Sequence, residues 1–257
     1  MSERRVNGVR LYYEEHGEGQ PILVIHGTSS SALVWGSAVE ELAKLGRVIV
    51  YDRRGCTRSE RPDPYETSVS QHADDAACLL EALSATPAIV IGRSYGGVVA
   101  IDLALRYPEL VRALVLLEAA LPRLVPEAMA SAEKFRERVL AAAATDLDTV
   151  GEMFIRTVLG DDAWDALSAQ LREMYIDNGP AIVAEFKGGT LEIDRDALSR
   201  LAKPTVLVAA DHSPPLYRQV TDALADAIPG ARRVLVGGGH NISPSEPGVL
   251  DFVREVA

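Results

Sequence analysis

The stretch AIVIGRSYGGVVA, Ala88 to Ala100, decides the fold of this chain. Its first half is a short, near-continuously apolar run, which is typical of a strand buried on both faces, as in a parallel sheet. Its second half begins a helical pattern at Tyr95. Between the halves stands Ser94, in the spacing Gly-x-Ser-x-Gly. We therefore predict a sharp strand-to-helix turn that lifts the Ser94 hydroxyl above the sheet.

The residue types of this turn point to a nucleophilic serine. A side chain at Gly92 or Gly96 would collide with the crossing backbone, and so sharp a turn strains the backbone of the serine. The N-terminus of the following helix offers free amide groups and partial positive charge, which suit a developing oxyanion. The alternative is a glycine-rich turn in which Ser94 has no chemical role, but a strand, the spacing and a helix occur together here.

Short apolar runs recur along the rest of the chain, and helical patterns separate most of them. The runs are PILVIHG (21–27), RVIVYDRRG (47–55), ALVLLE (113–118), TVLVAAD (205–211) and RRVLVGGG (232–239). Ahead of them, Asn7-Gly8 between two strand-like runs indicates a hairpin. Alternation of strands and helices predicts an α/β fold with a parallel sheet.

One region interrupts this alternation. From Pro122 to Asp194 the chain has only helical patterns. We predict that 122–194 is a helical cap, inserted into a core that 1–121 and 195–257 form. Most apolar side chains of such a cap form its own core, and a minority face a pocket. The predicted substrate contacts are Leu124, Met153, Phe154 and Trp164.

The charge, the cysteine count and the distribution of apolar residues argue against several classes of function. The formal charge of −11 over 257 residues argues against nucleic acid and disfavours anionic membrane surfaces. The two cysteines, Cys56 and Cys78, make neither a disulfide framework nor a metal signature. The opening MSERRVNGVRLYYEE lacks an apolar core of signal-peptide length, and no apolar run is long enough to span a membrane. We expect a cytoplasmic protein without metal or organic cofactor.

One of the five histidines is placed to act as a base. His240 follows the strand-like run RRVLVGGG in a loop, downstream of Ser94. The other candidates fit less well. We place His16 in a hairpin turn, His72 on what we interpret as a polar helix face, and His212 in a loop. His26 is interpreted as a structural residue whose ring bonds to its own loop.

Two backbone amides are predicted to bind an oxyanion. One belongs to Tyr95, directly after the serine, and the other to Thr28, in the loop after PILVIHG. Trp35, further along that loop, is expected to be a core residue.

The order of these motifs resembles the α/β-hydrolase superfamily over nearly the whole chain. The matching segments are HG (26–27), YDRRGCTRS (51–59), GRSYGG (92–97), YPELVRALVLLE (107–118) and GHNISPSEP (239–247). The resemblance implies an eight-stranded, mostly parallel sheet with helices on both faces. It also implies a triad of serine, acid and histidine in that chain order. Thr57 stands where a glycine is common in the family, which we expect to affect only local loop shape.

The acid of the triad is missing from its common position. The family pattern after the strand that begins at Thr205 is Gly-x-x-Asp, but Ala210 and Ser213 stand at the two fixed positions here. Asp211 lies two residues early and is one alternative. The other is Glu118, at the end of the strand next to the nucleophile's own strand. Some branches of the family, including zearalenone-type lactonases, carry the acid at that place. We predict Glu118, although a strand-end carboxylate that only bonds to the cap backbone is also consistent with the sequence.

These features predict a hydrolase that cleaves a carboxylic ester or lactone through an acyl-enzyme. The expected partner is a hydrophobic small molecule, and a homodimer is compatible with the sequence. The same triad also serves C–C bond hydrolysis, thioester cleavage and peracid formation, because the fold does not fix the substrate. A ligand receptor and a non-hydrolytic cyclase on the same scaffold remain as alternatives.

Overall fold

The computed structural model describes residues 2–257, which contain one eight-stranded sheet. The strands are β1 (Ser2–Val6), β2 (Val9–His16), β3 (Pro21–Ile25), β4 (Arg47–Tyr51), β5 (Ala88–Arg93), β6 (Val111–Leu117), β7 (Thr205–Ala210) and β8 (Arg232–Val236). They lie in the order β1-β2-β4-β3-β5-β6-β7-β8. β2 pairs antiparallel with β1 and β4, and all other pairs are parallel. The predicted mostly parallel sheet is confirmed.

The first two strands form the predicted hairpin, but His16 is the last residue of β2 and does not lie in a turn, contrary to our prediction. Asn7 has φ +44° and Gly8 has φ +76°, and Val6 pairs with Val9 across the turn. A two-residue turn with two positive φ angles matches the twist of the flanking strands, and asparagine and glycine adopt it at low cost.

Eleven α-helices are found within residues 2–257. They are α1 (Ala38–Ala43), α2 (Val69–Ala82), α3 (Tyr95–Arg106), α4 (Pro126–Thr145), α5 (Thr149–Leu159), α6 (Asp161–Asp165), α7 (Ala169–Asp177), α8 (Gly179–Gly188), α9 (Arg195–Ser199), α10 (Pro215–Ala227) and α11 (Pro247–Val256). Over the same residues, no helix combines the length and apolar character needed to cross a lipid bilayer.

Both faces of the sheet are covered by helices. Along β5, Val90 packs into the core beneath α2, α3 and α10, whereas Ile89 and Ile91 pack into the core beneath α1 and α11. Successive side chains of a strand point to opposite faces, so a strand buried on both sides must be apolar at every position. This explains the continuous apolar runs. It also places the carboxyl ends of β3, β5 and β6 at one edge of the sheet.

The segment between β6 and β7 is helical and has its own apolar cluster. Val139, Phe154, Trp164, Tyr175 and Ile182 pack there, on α4 to α8. The helical pattern over 161–175 corresponds to two helices, α6 and α7. Ser168 begins the second helix, and its hydroxyl accepts a hydrogen bond from the amide of Leu171. Serine is a favoured N-cap for this reason.

His72 does not lie on a polar helix face, and that interpretation was wrong. Its residue is 1% exposed on α2. The ring Nε2 lies 3.0 Å from the hydroxyl of Thr67 and 3.1 Å from a guanidinium nitrogen of Arg53. A buried guanidinium needs hydrogen-bond acceptors, and the neutral imidazole of His72 provides one for Arg53. Burial and the nearby arginines hold the His72 pKa well below its ordinary value.

Candidate active site

Ser94 lies on the predicted turn between β5 and α3. Its backbone has φ +53° and ψ −119°, a strained conformation for a residue with a side chain. The Ser94 amide donates to the carbonyl of Leu117 at 3.0 Å, which ties the turn to the neighbouring strand. A Cβ atom at Gly92 would overlap the Gly96 carbonyl, and one at Gly96 would overlap the Ile25 carbonyl. Only glycine fits at both positions, so the turn can be this tight.

His240 contacts a carboxylate through one ring nitrogen. Its Nδ1 lies 2.6 Å from Oε2 of Glu118, and both side chains are almost fully buried. Because the carboxylate can only accept, Nδ1 carries the proton in this contact. The other ring nitrogen, Nε2, is buried and has no hydrogen-bond partner among residues 2–257. His240 and Ser94 line the same cavity.

Glu118 is held in place by three separate contacts besides the histidine. Its backbone has φ +45°, and its amide donates to Val208 O at 3.0 Å. Its Oε1 accepts from the amide of Ala210 at 2.9 Å, and its Oε2 accepts from the hydroxyl of Ser213 at 2.9 Å. Ser213 occupies the position where the family commonly has its acid, and here it hydrogen-bonds to the carboxylate that comes from β6.

Asp211 lies elsewhere. Its Oδ1 accepts from the amide of Gly238 at 2.9 Å, and its side chain is 44% exposed. The nearest imidazole within 4 Å of it belongs to His212, at 3.8 Å, and not to His240. The structure therefore brings Ser94, His240 and Glu118 to one site and leaves Asp211 outside it.

The two amides predicted to bind an oxyanion are both available at this site. Tyr95 is the first residue of α3, where an amide has no acceptor within the helix. Thr28 lines the cavity with Ser94. Neither amide donates to any acceptor within residues 2–257. A Cβ atom at Gly27 would lie 3.3 Å from Cβ of Ser94, which measures how closely this loop approaches the serine.

A buried arginine and a histidine shape the loop that carries Thr28. The Arg53 guanidinium donates to the carbonyls of His26 at 3.1 Å and Gly27 at 2.9 Å. The backbone amide of Arg53 donates to His26 Nε2 at 2.9 Å, and His26 Nδ1 lies 2.9 Å from the Gly27 carbonyl. Burial and the adjacent guanidinium hold the His26 pKa well below its ordinary value. A neutral His26 with its proton on Nδ1 satisfies all these contacts.

Asn178, which sequence reasoning missed, joins the helical segment to the same loop. It is fully buried between α7 and α8. Its side-chain nitrogen donates to the carbonyls of Ser29 at 3.1 Å and Ser30 at 3.2 Å. Its oxygen accepts from the amide of Thr57 at 2.8 Å. Thr57, with φ +45°, therefore contacts the helical segment as well as shaping its own loop, contrary to our expectation.

We expect Asn178→Ala to destabilise the protein by about 1–3 kcal/mol, because the buried backbone groups at Ser29, Ser30 and Thr57 would lose their partner. Chemical denaturation measures this loss. Gln170→Ala is the matched control, since Gln170 carries the same amide on the exposed surface of α7. Equal stability of the two variants would contradict this role of Asn178.

Of the four predicted substrate contacts, only Phe154 lines the cavity beside Ser94. Trp164 is 3% exposed and packs against Tyr175 inside the helical segment, and Met153 packs at the edge of the same cluster. Leu124 lines a separate surface cavity. Spacing alone did not distinguish the helix face toward the cavity, which α5 supplies through Phe154, Ile155, Val158 and Leu159.

Tyr217 is a second residue that sequence reasoning missed. Its ring stacks on the His240 ring with centroids 3.9 Å apart and planes 22° apart. Burial raises the pKa of Tyr217 to about 12, so its phenol is neutral. The only signal in the sequence is Pro214-Pro215, because a proline at the first helical position favours a helix start, and the first turn of α10 carries this tyrosine.

This architecture defines a class of protein. A mostly parallel sheet, a serine on a strand-to-helix turn and a histidine in a loop after the last strand are the features of an α/β hydrolase. A family model described as the alpha/beta hydrolase fold matches residues 20–247. The chain belongs to this family, and the resemblance inferred from its motifs is confirmed.

Three similar proteins represent different hydrolase activities. The chain is 32% identical over 256 residues to RutD of Azorhizobium caulinodans, provisionally named a carbamate hydrolase, with 94% of this chain and 92% of the relative covered. A thermophilic esterase from Thermogutta terrifontis, with malate bound, is 25% identical with a TM-score of 0.82 over 99% of this chain and 97% of its own. Est816, described as an N-acyl homoserine lactone degrading enzyme, is 25% identical with a TM-score of 0.78 over all of both chains.

Proposed function

We propose that this protein is a serine hydrolase that cleaves a carboxylic ester or lactone through an acyl-enzyme. Ser94 is the nucleophile, His240 the base and Glu118 the acid. The observation that carries the proposal is the 2.6 Å contact between Glu118 Oε2 and His240 Nδ1, which leaves Nε2 without a partner in a residue that lines one cavity with Ser94. This is the arrangement that a base needs to accept a serine proton.

In the first half of the reaction, His240 Nε2 accepts the Ser94 proton while the serine oxygen attacks the carbonyl carbon. The imidazolium that forms is stabilised by Glu118, which also keeps the proton of the neutral ring on Nδ1. The negative charge moves to the carbonyl oxygen, where the amides of Thr28 and Tyr95 donate to it. Each such donor contributes about 3 kcal/mol to stabilising the transition state. His240 then donates its proton to the leaving alkoxide.

In the second half, His240 accepts a proton from water, and the hydroxide attacks the acyl-enzyme. The same two amides stabilise the second oxyanion. Collapse of this intermediate returns the proton to Ser94 and releases the carboxylic acid. Every step uses water and groups of this chain.

We propose further that 122–194 acts as the cap over a core formed by 1–121 and 195–257. In support, α5 contributes apolar side chains to the wall of the cavity, and Asn178 bonds the helical segment to the loop of Thr28. An apolar wall favours a hydrophobic part of the substrate. The cytoplasmic location and the homodimer stay predictions from sequence.

The structural neighbours support ester and lactone chemistry, since one is named an esterase and another a lactone-degrading enzyme. The whole-length relative RutD favours a second candidate, a carbamate as substrate of the same site. A carbamate carbonyl passes through the same tetrahedral oxyanion, so the three proposed triad residues would keep their roles.

The test measures acid release in a pH-stat from simple acyl esters and bulky lactones, and nitrophenol release from a nitrophenyl carbamate, with Ser94→Ala as the blank in both assays. We expect sustained release from esters or lactones. Preference for the carbamate would favour the second candidate. A single burst without turnover would favour a ligand receptor. No release above the blank from a folded protein would overturn the proposal.

A further inference from the structure

Arg93 is a buried arginine without an anionic partner. Three arginines are buried among residues 2–257. Arg53 pairs with Glu185 at 2.7 Å, and Arg54 pairs with Asp75 at 2.5 Å. Arg93 is 8% exposed and forms no ion pair with any described residue. A buried charge is costly unless it is paired, so this exception calls for a physical reason.

The surroundings of Arg93 leave most of its hydrogen-bonding capacity unused. Its guanidinium lies 4.5 Å from the centre of the Trp35 ring, which supports one face. The only described acceptor is the carbonyl of Ile242, at the long distance of 3.4 Å. A guanidinium has five N–H donors. Burial lowers the pKa of Arg93 to about 10, which still leaves the group charged at neutral pH.

Arg93 also faces the reaction site. It directly precedes the nucleophile and lines the same cavity as Ser94 and His240. The apolar wall from α5 makes this cavity a place where an electrostatic contact is stronger than in water.

We propose that Arg93 binds a free carboxylate of the substrate, so that the enzyme acts on esters or lactones that carry a second, ionised carboxyl group. This inference rests on the proposed function and names its substrate class. A guanidinium matches a carboxylate through two parallel N–H···O bonds. One cation in an otherwise uncharged part of the cavity balances one negative charge, which fits a carboxylate better than a phosphate dianion. The bound carboxylate would supply the partner that the protein lacks.

The competing explanation is a structural one. Arg93 reaches the carbonyl of Ile242, two residues after His240, and so it could fix the histidine loop. The two roles differ in what they predict. A structural role affects all substrates equally and lowers stability when removed. Recognition of a carboxylate affects charged substrates selectively, whatever stability is lost with the contact between Arg93 and Trp35.

The test compares monomethyl glutarate with its neutral counterpart, the methyl ester of glutaramic acid, in which an amide replaces the free carboxylate. We expect the wild-type enzyme to prefer the charged ester. In Arg93→Gln the ratio of the two kcat/KM values should fall by about 10- to 100-fold, mainly through KM, because a charge-assisted pair is lost. The same ratio in Arg93→Lys should lie between those of the wild type and Arg93→Gln. Arg254→Gln, an exposed arginine on α11, is the matched control and should keep the wild-type ratio.

An unchanged ratio in Arg93→Gln, or an equal loss with both esters, would overturn the inference while leaving ester hydrolysis intact. A second measurement does not depend on turnover. Glutarate should bind Ser94→Ala protein in calorimetry, and the double variant Ser94→Ala/Arg93→Gln should bind it at least about tenfold more weakly. If esters are not cleaved but glutarate binding still requires Arg93, the proposed reaction fails and the carboxylate site stands. Equal binding by both proteins would overturn the site.

Discussion

Ser94→Ala is expected to lower kcat for ester or lactone hydrolysis by about 10⁴- to 10⁶-fold, the range found when the nucleophile of a serine triad is removed. The oxygen that forms the acyl-enzyme is absent from this variant, while the two oxyanion amides and the cavity remain. Steady-state acid release with a low-background substrate measures the loss. Alanine fits the space of serine, so circular dichroism and the melting temperature should match those of the wild type.

Retained turnover in Ser94→Ala on the native substrate would contradict the acyl-enzyme. It would favour a reaction that uses the cavity without the serine, such as a non-hydrolytic cyclisation. Residual activity of about 10³-fold over the reaction in water would not contradict the acyl-enzyme. Substrate binding and the two oxyanion amides persist without the nucleophile and account for activity at that level.

Glu118→Gln is expected to lower kcat by about 10⁴-fold, since replacing the triad acid by its amide leaves the imidazole in the wrong tautomer. The contacts of the Glu118 carboxylate make this variant a specific test of its role. Glutamine occupies the same volume, but its NH₂ group cannot serve the role of both carboxylate oxygens toward Ala210, Ser213 and His240. Stopped-flow or steady-state kinetics on the best ester measure the loss of kcat. The melting temperature shows whether the variant is still folded.

Asp211→Asn is the matched control for Glu118→Gln. Asp211 is the alternative acid of the sequence, and its carboxylate accepts from Gly238 at the surface. We expect this variant to stay within about threefold of wild-type kcat, because a surface polar change costs little. The reverse pattern, with Asp211→Asn inactive and Glu118→Gln active, would contradict the assignment of Glu118.

Much of the fold could be predicted from the sequence because its signals are local. A strand covered on both faces must be apolar throughout, and Ser94 between Gly92 and Gly96 requires a tight turn whatever surrounds it. His240 could be chosen by chain order. Glu118 could be chosen because the end of β6 adjoins the end of β5 in a parallel sheet. Each of these inferences needs only the order of the elements.

The remaining parts of the site depend on contacts between residues far apart in the chain. Asn178 and Ser29 are 149 positions apart, and nothing in the local sequence of either indicates the other. The unpaired state of Arg93 is visible only when every neighbour is known. His72 was misassigned because the residues beside it are polar, whereas the buried Arg53 that attracts it comes from another loop. Periodicity indicates which positions form helices, but it does not show which neighbour a side chain meets.

The most direct test of the central claim, a nucleophilic Ser94 activated by His240 and Glu118, is covalent labelling with an alkyl fluorophosphonate. Its phosphorus accepts the serine oxygen and releases fluoride, so no knowledge of the substrate is needed. We predict one adduct per chain by intact mass, mapped to the peptide that contains Ser94, with labelling abolished in Ser94→Ala and slowed at least about 100-fold in Glu118→Gln. An unmodified folded protein, or an adduct on any residue other than Ser94, would contradict the account.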